Sequence, residues 1–530
     1  MASTSPGSAP LPPSPLPEVR ASGYAWYVLA VLVLVYVLNF VDRQIIAILA
    51  DDIKRDLHLK DQDIGFLYGT AFAIFYALFG IPLGRLADSW RRVRLMSLGL
   101  ALWSAMTALS GFARTGTMLS LARVGVGVGE ASAGPAAYSL ISDWFPRRLR
   151  ATALAIYSSG IYIGGGLSLF LGALIVKQWN RAWPHGGPLG IAGWQAAFLA
   201  VGLPGLLVAI WVATLREPVR GQSEGLIAPP HPAPFRAFFE ELLTTIPPFT
   251  LLGAARNGTR ALTANLFVLL LVIAAAWGLI AIGEPPLQWI AIATGVYAAY
   301  SWAAALRRRD YPTFRLIVAS PAFLSVVLAY GLNAFLAYAV AGFAPSFFRR
   351  TFDIPIDRLD EVGLYIGGPA ALAGFLGITI GGRIADKLRE RHASGRIWVI
   401  LFGCLAPIAP MVLMFTAKNQ LMFYVMLPLA QLTASAALGA AAATTQDLVL
   451  PRMRGTATAA FFIGTTLIGL ALGPYLAGRV STLTGSLAIG VLSLLAVVPL
   501  ALLAVWAAFR LVPAAEAGRA ERARSAGEPL

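Results

Sequence analysis

The chain has 530 residues, of which 58% are hydrophobic and only 13% are charged, a balance typical of proteins embedded in lipid and not of soluble domains. Its net charge of +15 would suit a nucleic-acid binder, but the basic residues are divided among alternate loops, so we expect no nucleic-acid partner. The single cysteine, Cys404, excludes an intramolecular disulfide and a cysteine metal cluster, and no P-loop pattern occurs.

Residues 1–23 are rich in Pro, Ser and Ala, and this composition predicts a disordered cytoplasmic tail. Apolar stretches of about 20 residues follow, the length at which a helix spans a bilayer. Six of them form a predicted first half, residues 24–216. These spans are 24–50, 64–84, 95–112, 117–142, 151–176 and 193–215.

A polar cytoplasmic linker is predicted over 217–260, and the apolar positions of 235–246 fit one helical face, as in a helix lying on the membrane surface. Two additional spans, 261–283 and 287–306, occupy residues 261–306, and a cytoplasmic loop follows over 307–318. A second half, residues 319–511, precedes another disordered cytoplasmic tail, 512–530. Its spans are 319–343, 361–382, 397–416, 421–446, 455–479 and 485–510.

The total of fourteen spans predicts an all-α integral membrane fold with two six-helix halves and two extra central helices. An even number of spans returns both termini to the cytoplasm, and every strongly basic loop then lies on that side, as the positive-inside rule requires. We therefore expect a multi-pass protein of the cell (inner) membrane. A monomer in the lipid bilayer is the simplest assembly for this chain.

The two halves carry the same motifs in the same order. The sequence from Gly84 to Asp88 after the second span recurs from Gly382 to Asp386, after the second span of the last six. Arg150-Ala151-Thr152-Ala153 before the fifth span recurs as Arg454-Gly455-Thr456-Ala457. Duplicated six-helix halves are a transporter architecture, with a substrate site near the membrane midplane where the halves meet.

The sequence from Gly84 to Arg92 resembles the loop signature of the major facilitator superfamily, with Arg91 where that family has a second glycine. The resemblance implies a cytoplasmic gate made of Gly84, Asp88, Arg92, Gly382 and Asp386. The carboxylate of Asp88 is expected to accept hydrogen bonds from the N-terminus of a neighbouring helix and, with Arg92, to hold the cytoplasmic side shut. An ordinary charged loop is the alternative.

Within that superfamily the chain is most similar to the spinster family of lysolipid and sphingosine-phosphate transporters. The similarity rests on Asn39 to Arg43 in the first span, on Arg123 with Gly127 to Ser132 in the fourth, and on Pro451 to Arg454. The resemblance implies an amphiphilic substrate such as a lysophospholipid, and the two extra spans fall outside it.

Four ionisable residues lie deep in the first and fourth spans: Asp42, Arg43, Arg123 and Glu130. At 1.5 Å per residue, Asp42 lies about 12 Å from the outer end of its span, and Arg123 and Glu130 about 8 and 18 Å from theirs, so their depths are similar. Each such charge costs about 2.5 to 3.5 kcal/mol on insertion scales, so it must pair, face water or serve function.

We predict that Arg43 pairs with Glu130 and that Asp42, near Arg123, binds and releases a proton. Closing the pathway would desolvate this carboxylate, and a change of conformation would thereby change its proton affinity. Protons are thus the expected coupling ion, without any cofactor or metal. One alternative to a proton-binding role is that the charges form static ion pairs that hold the two helices together. Another is that Arg43 or Arg123 binds an anionic headgroup.

Several further polar residues are predicted to line a central cavity, although Ser and Thr side chains often bond their own helix backbone instead. The candidates are Asn39, Tyr330, Asn333, Tyr338, Gln431 and Thr433.

The combined features predict a secondary active transporter that moves an amphiphilic or lipid-like solute by alternating access and is coupled to protons. One alternative is a proton-coupled exporter of hydrophobic drugs or metabolites. A transport-inactive receptor or scaffold is an alternative from another class. We predict no enzyme activity, because neither a catalytic residue set nor a metal site can be identified.

Overall fold

The computed structural model describes residues 21–184, 186–221 and 232–528. The described chain is helical and contains no β-strand. Most of the predicted N-terminal tail, residues 222–231 of the linker and the last two residues lie outside the described part. Thirteen of the described helices are long and apolar enough to cross a membrane.

The first half of the chain forms eight α-helices that lie at the six predicted spans. A π-helical turn, Phe66–Thr70, joins the second and third of these helices into one continuous helix. The eight are α1 (Gly23–Leu57), α2 (Asp61–Gly65), α3 (Ala71–Ser89), α4 (Arg92–Ser110), α5 (Gly116–Glu130), α6 (Ala133–Trp144), α7 (Arg147–Ala182) and α8 (Gly193–Ala213).

The predicted fourth span is broken in the structure. Helix α5 ends at Glu130 and α6 begins at Ala133, so neither piece alone is long enough to count among the thirteen candidate spans. The break lies where Ser132 donates to the Gly129 carbonyl oxygen at 2.8 Å. The number of fourteen membrane crossings therefore stays a prediction.

Five helices connect the halves. Helices α11 and α12 match the two additional predicted spans, and α9 matches the segment predicted to lie on the membrane surface. The five are α9 (Pro234–Thr245), α10 (Phe249–Arg256), α11 (Thr259–Ala281), α12 (Pro286–Arg309) and α13 (Tyr311–Ile317). The predicted loop 307–318 thus contains a helix, and Asp310 caps it by accepting from the Thr313 backbone N–H at 3.1 Å.

The second half forms ten α-helices. Its fifth span is again one long helix, Pro451–Thr484, with a π-helical turn at Thr466–Leu470. The ten are α14 (Pro321–Thr351), α15 (Leu359–Arg391), α16 (Gly395–Leu405), α17 (Ile408–Phe415), α18 (Gln420–Asp447), α19 (Arg454–Thr465), α20 (Gly473–Thr484), α21 (Leu487–Ser493), α22 (Val498–Ala517) and α23 (Arg519–Ser525).

The C-terminal segment differs from the disordered tail predicted over 512–530. Helix α22 runs to Ala517, and α23 follows with Ala523 fully buried. Arg522 donates to the backbone oxygens of Ala515 and Leu448, at 2.7 and 3.4 Å. These tertiary contacts, which composition does not reveal, order a segment that is polar in sequence.

The two ends of the helix bundle are named here by the first helix. The terminal side is the end at which α1 begins and α22 ends, and the distal side is the end at which α1 terminates at Leu57. The halves meet along two seams, and α1 of the first half also packs on α14 of the second. The front seam joins helix Asp61–Ser89 to helix Pro451–Thr484, and the back seam joins α7 to α15.

Candidate functional site

Glycines in α5 bring the fourth predicted span close to its neighbours. A Cβ added at Gly127 would lie 2.6 Å from the Phe72 carbonyl oxygen of α3. One added at Gly129 would lie 2.8 Å from the backbone nitrogen of Trp103 in α4. Backbone contact this close is possible only without side chains. It fixes Glu130, the last residue of α5, in the interior of the first half, where it is 1% exposed.

Arg43 of α1 and Glu130 form a buried ion pair. The Arg43 Nη2 atom lies 2.7 Å from Glu130 Oε2, and Nε donates to the same oxygen at 3.3 Å. Arg43 is 8% exposed, so neither charge is solvated by bulk water. The other carboxylate oxygen, Oε1, has no hydrogen-bond partner among the described residues, so the pair is only partly satisfied.

Aromatic rings surround the guanidinium of Arg43. Its Cζ atom lies 4.7 Å from the ring centre of Phe40, 4.5 Å from that of Phe72 and 5.0 Å from that of Tyr76. The negative ring faces attract the cation in a region with little water. Arg43 is therefore stabilised both by its carboxylate and by its aromatic neighbours.

Asp42 is the least satisfied member of the cluster. It is 2% exposed, and its Oδ1 atom has no hydrogen-bond partner among the described residues. The carboxyl group faces Trp103 and Thr107 of α4, whose Nε1 and Oγ1 atoms also lack partners. One buried carboxyl group and two nearby donors are thus placed together without being fully engaged.

Arg123 of α5 contacts the backbone of α1 and not the carboxylate of Asp42. Its Nη1 atom donates to the Asp42 backbone oxygen at 3.0 Å, and Nη2 lies 3.5 Å from that of Arg43. Ser168 of α7 donates to the neighbouring Val41 oxygen at 3.0 Å. Arg123 is fully buried, and it ties α5 to the stretch of α1 that carries both charges.

Two of the predicted cavity residues belong to this cluster. Asn39, 2% exposed, lies one helical turn before Arg43 and beside Glu130. Tyr338 belongs to α14 of the second half and lies within the electrostatic surroundings of Arg43. Arg43 therefore lies near a residue of the second half.

The other predicted cavity residues are mostly engaged elsewhere. Asn333 donates to the Ala434 carbonyl oxygen at 3.0 Å, and Thr433 bonds the Leu429 oxygen of its own helix at 2.8 Å. Tyr330 stacks on Phe461, with ring centres 5.4 Å apart. Gln431 is partly exposed. Asn333 and Thr433 thus have structural partners in this conformation.

Charged residues on the distal side join the two halves. Arg349 of α14 pairs with Asp52 of α1 at 2.8 Å, and Arg350 pairs with Asp61 of α2 at 2.9 Å. Across the back seam, Lys177 pairs with Asp360 at 2.7 Å. Apart from a bond at the π-helical turns, the hydrogen bonds and ion pairs that we find between described residues of the two halves lie in this distal part of the bundle.

The front seam is closed by backbone contact at its π-helical turns. A Cβ at Gly69 would overlap the Leu470 carbonyl oxygen, and one at Gly65 would overlap that of Pro474. Thr70 donates through its hydroxyl to the Ala471 carbonyl oxygen. Since π-helical turns are frequent where helices bend or bind, the two facing turns are a candidate hinge.

On the terminal side, equivalent ion pairs lie within each half. Arg92, at the start of α4, pairs with Asp143 of α6, and Arg396, in α16, pairs with Asp447 of α18. In each pair the two residues are 51 positions apart in the sequence. Arg92 also donates to Glu217 at 2.9 Å. The sequence motifs had indicated Arg92 but neither of its acidic partners, because those lie far away in the chain.

The predicted latch between Asp88 and Arg92 is absent from this conformation. Asp88 makes no hydrogen bond or ion pair with any described residue, because Arg92 points to Asp143 and Glu217. In the second half Asp386 does pair with Arg396, at 3.1 Å. A Cβ at Gly84 would meet only Pro135 of its own half, and one at Gly382 would meet nothing within 4 Å. Among the described residues, these gate residues therefore form no hydrogen bond or ion pair across the halves here.

A cavity of about 150 Å³ opens on the distal surface of the first half, away from the charged cluster. Its lining includes Asp52, Arg55, Trp179 and Trp194. Asp52 lies about 15 Å along α1 from Asp42, at 1.5 Å per residue. This cavity is therefore separate from the predicted site.

Comparison with known proteins gives the family. The sequence profile of the Major Facilitator Superfamily matches residues 32–474 and residues 326–530. The chain belongs to the major facilitator superfamily. This superfamily membership agrees with the all-helical bundle and with the two seams between its halves.

Curated relatives cover most of the chain. An MFS-type efflux pump of Mycolicibacterium smegmatis is 29% identical over 86% of this chain and 84% of its own length. Protein spinster of Drosophila melanogaster is 23% identical over 89% of this chain, but the match spans 65% of that protein.

Solved structures show the same relationship. A bacterial homolog of the human lysosomal transporter Spinster, in an inward-facing and occupied conformation, aligns with a TM-score of 0.63 and 25% identity over 96% of this chain and 97% of that one. A D-xylose–proton symporter aligns with a TM-score of 0.55 at 14% identity, which shows the shared fold alone. This superfamily member is a multi-pass membrane transporter that is similar to spinster proteins, and it is not an enzyme.

Proposed function

We propose that this transporter moves an amphiphilic, lipid-like solute by alternating access, driven by protons that bind at Asp42. The observation that carries the proposal is the buried cluster of Asp42, Arg43, Arg123 and Glu130, in which one carboxyl group has no strong partner. Arg43 of this cluster lies near Tyr338 of the second half, and a pathway between the halves would pass there.

The terminal side is cytoplasmic in this proposal, with both termini on it, and the protein resides as a monomer in the cell membrane. Arg85, Arg91 and Arg94 near the end of α3 and the start of α4, and Arg307 and Arg308 at the end of α12, support this orientation under the positive-inside rule. The conformation described above is then closed outside and lacks cross-half polar contacts inside. A transporter in this state exchanges substrate with the cytoplasm.

Proton coupling follows from the unequal positions of the two carboxyl groups. Glu130 has Arg43 as a direct counter-charge at 2.7 Å, whereas Arg123 contacts only the backbone beside Asp42. A carboxyl group buried without a partner is tolerated more readily when it is neutral. Opening the bundle to the other side would rehydrate Asp42 and change its affinity for a proton, so proton exchange and the conformational change become linked.

The amphiphilic substrate class rests on the spinster resemblance and on the aromatic residues of the site. Tyr36 stacks on Tyr157 with ring centres 4.3 Å apart, and Phe40 and Tyr76 lie beside the Arg43 guanidinium. Aromatic surface beside a cation suits a molecule with an apolar body and an anionic headgroup.

A second candidate function is export of hydrophobic drugs or metabolites by the same proton-linked site. It is favoured by the 29% identity to the M. smegmatis efflux pump. Competition by soluble headgroup analogues separates the two candidates. A headgroup analogue should displace a bound lysolipid, whereas it should not displace an apolar drug.

Transport by purified protein in liposomes tests the proposal. The neutral substitution Asp42→Asn should abolish pH-dependent uptake of lysolipid, because the variant has no carboxyl group to bind a proton at this position. Asp353→Asn is the matched control: Asp353 is exposed on the distal surface at φ 47°, a conformation that asparagine also adopts readily.

Unchanged pH dependence in Asp42→Asn would contradict proton coupling at this residue. Counterflow of labelled substrate, which needs no gradient, would separate a coupling defect from a failure to transport at all. A wild-type protein that binds lysolipid but shows no counterflow would instead support the receptor or scaffold alternative.

A further inference from the structure

Of the two inserted helices, α12 lies against the front seam. Helix α12 packs on helix Asp61–Ser89 of the first half. A Cβ added at Gly295, near the middle of α12, would lie 2.9 Å from Ile74 Cδ1 of the first half and 3.1 Å from Leu467 Cδ2 of the second half. Leu467 belongs to the π-helical turn at the candidate hinge. The insertion thus contacts both halves where they meet.

The turn between α11 and α12 is bonded to the second half at the distal end of that seam. Glu284 accepts hydrogen bonds from Arg479 Nη2 at 2.9 Å and Nε at 3.0 Å, and from the Tyr475 hydroxyl at 2.8 Å. Arg479 in turn donates to Gln62 Oε1 of the first half at 3.0 Å. Glu284 therefore orients the arginine that bridges the halves.

Helix α12 packs mainly on the first half along its length, although Asp310, which follows its terminal end, pairs with Arg452 of the second half at 2.7 Å. Arg309 donates to Glu241 of α9 at 2.8 Å, and α9 packs on the end of α3 through Phe235 and Trp90, with ring centres 5.2 Å apart. If α12 moves with the first half, then opening the distal side must break the bonds between Glu284 and α20.

A second observation on α12 points to the same seam. Gln288 lies seven residues before Gly295, and positions seven apart share a helical face. It is 1% exposed, and neither its amide oxygen nor its amide nitrogen has a partner among the described residues. Leaving a buried amide unbonded is unfavourable, so this residue destabilises the conformation described here.

We propose that the inserted pair acts as a distal latch, in which Glu284 positions Arg479 to hold the front seam closed while the unbonded Gln288 opposes that closure. The inference rests on the proposed alternating access and gives the inserted helices a role in the transport cycle. Burial is the largest influence on the pKa of Glu284 and raises it, but hydrogen bonds from Tyr475, Arg479 and Trp289 together outweigh it and leave the pKa lowered. The carboxyl group of Glu284 is therefore charged at neutral pH.

Spin labels on the distal loops test the latch without any transport assay. Arg114 and Lys418 are exposed in distal loops of opposite halves, and replacing both by Cys in a Cys404→Ala background allows the distance between the halves to be measured by double electron–electron resonance. Glu284→Gln should raise the ratio of distal-open to distal-closed molecules by about fivefold. Gln288→Met should lower the same ratio.

Glu361→Gln is the matched control, because Glu361 pairs with Arg358 of its own half at 3.0 Å and should leave the ratio unchanged. Tyr475→Phe removes only one hydroxyl and gives a milder version of the Glu284 effect if Glu284→Gln does not fold. Distance distributions for both latch variants that superimpose on the parent, even with a lower Tm, would show a merely structural role and overturn the proposal. Proton coupling at Asp42 would survive that result, since the transport assay judges it separately.

Discussion

At the scale of single residues, the charged cluster contains three kinds of contact that a sequence distinguishes poorly. Arg43 pairs with a carboxylate and lies against three aromatic rings, whereas Arg123 donates to backbone oxygens. Asp42 lies beside two donors that have no hydrogen-bond partner among the described residues. The charges themselves were predictable, because ionisable residues inside apolar spans stand out. The neighbours Trp103 and Thr107 were not, because they lie about sixty residues away in an unremarkable apolar span.

Removing one member of the buried ion pair should be more harmful than removing both. Arg43→Met leaves Glu130 charged and buried, and we expect a loss of about 3 to 5 kcal/mol in stability. The double variant Arg43→Met with Glu130→Gln should recover most of that loss. Thermal unfolding of the purified proteins, compared at one pH, measures both effects. Additive losses in the double variant would contradict the strong coupling of these two charges.

Replacing the same arginine by lysine tests the aromatic surroundings. Arg43→Lys keeps the charge but loses the planar group that lies near Phe40, Phe72 and Tyr76. We expect a loss of about 1 to 2 kcal/mol in the same unfolding measurement, because a strongly hydrated ammonium is less suited to this site. Equal stability of Arg43→Lys and the parent would show that charge alone matters here.

At the scale of helices, the positions of the apolar spans could be predicted well, whereas breaks and docked ends could not. Hydropathy locates α1 and α14 because each contains a long apolar run, and the cap residues Ser22 and Ser320 help to begin them. The break between Glu130 and Ala133, the two π-helical turns and α23 depend on tertiary contacts that a local pattern does not contain.

The front seam should tolerate no added side chain at its glycines. Gly65→Ala places a methyl group on the Pro474 carbonyl oxygen, so the distal side must open to relieve the overlap. We expect about 1 to 3 kcal/mol in favour of the distal-open state, measured with the same pair of spin labels. Gly368→Ala on α15, where a Cβ meets nothing within 4 Å, is the control. Identical distance distributions for the two variants would argue against closure by backbone contact.

The docking of α23 should be insensitive to mild acid. Arg452 joins Asp310 to Glu528, just beyond the end of α23, so the charge of Asp310 helps to hold this helix in place. Burial raises the pKa of Asp310, but hydrogen bonds from Arg452 and Thr313 and the Arg452 charge outweigh it and lower the pKa to about 2. A carboxyl group with a lowered pKa stabilises the fold at pH values above its ordinary pKa of about 4, and this contribution is lost as pH falls through about 2.

Hydrogen exchange of residues 519–528 should therefore be equally protected at about pH 5 and about pH 8, after correction for the intrinsic exchange rate. Asp310→Asn should increase exchange in this segment at both pH values, because Arg452 bonds both Asp310 and Glu528. Glu521→Gln, which affects only a pair within α23, is the control. Loss of protection in the parent protein near pH 5 would contradict this assignment.

At the scale of the whole molecule, the duplication of the halves could be predicted from the sequence. Which side of the bundle is closed could not be predicted. The repeated motifs around Asp88 and Asp386 predict two related halves, and the pairs Arg92–Asp143 and Arg396–Asp447 show the same arrangement in each. Which side is closed depends on a balance among many weak contacts, including distal pairs such as Arg349–Asp52. No single motif encodes that balance.

The central claim is that protonation of Asp42 changes the balance between the two conformations of this transporter. The direct measurement is the distance distribution between labels at positions 114 and 418, recorded across a pH range in the parent and in Asp42→Asn. Acid should favour the distal-closed state of the parent, because that state buries Asp42 without a partner, and Asp42→Asn should show no pH response at this pair. A pH response in Asp42→Asn equal to that of the parent would contradict the account.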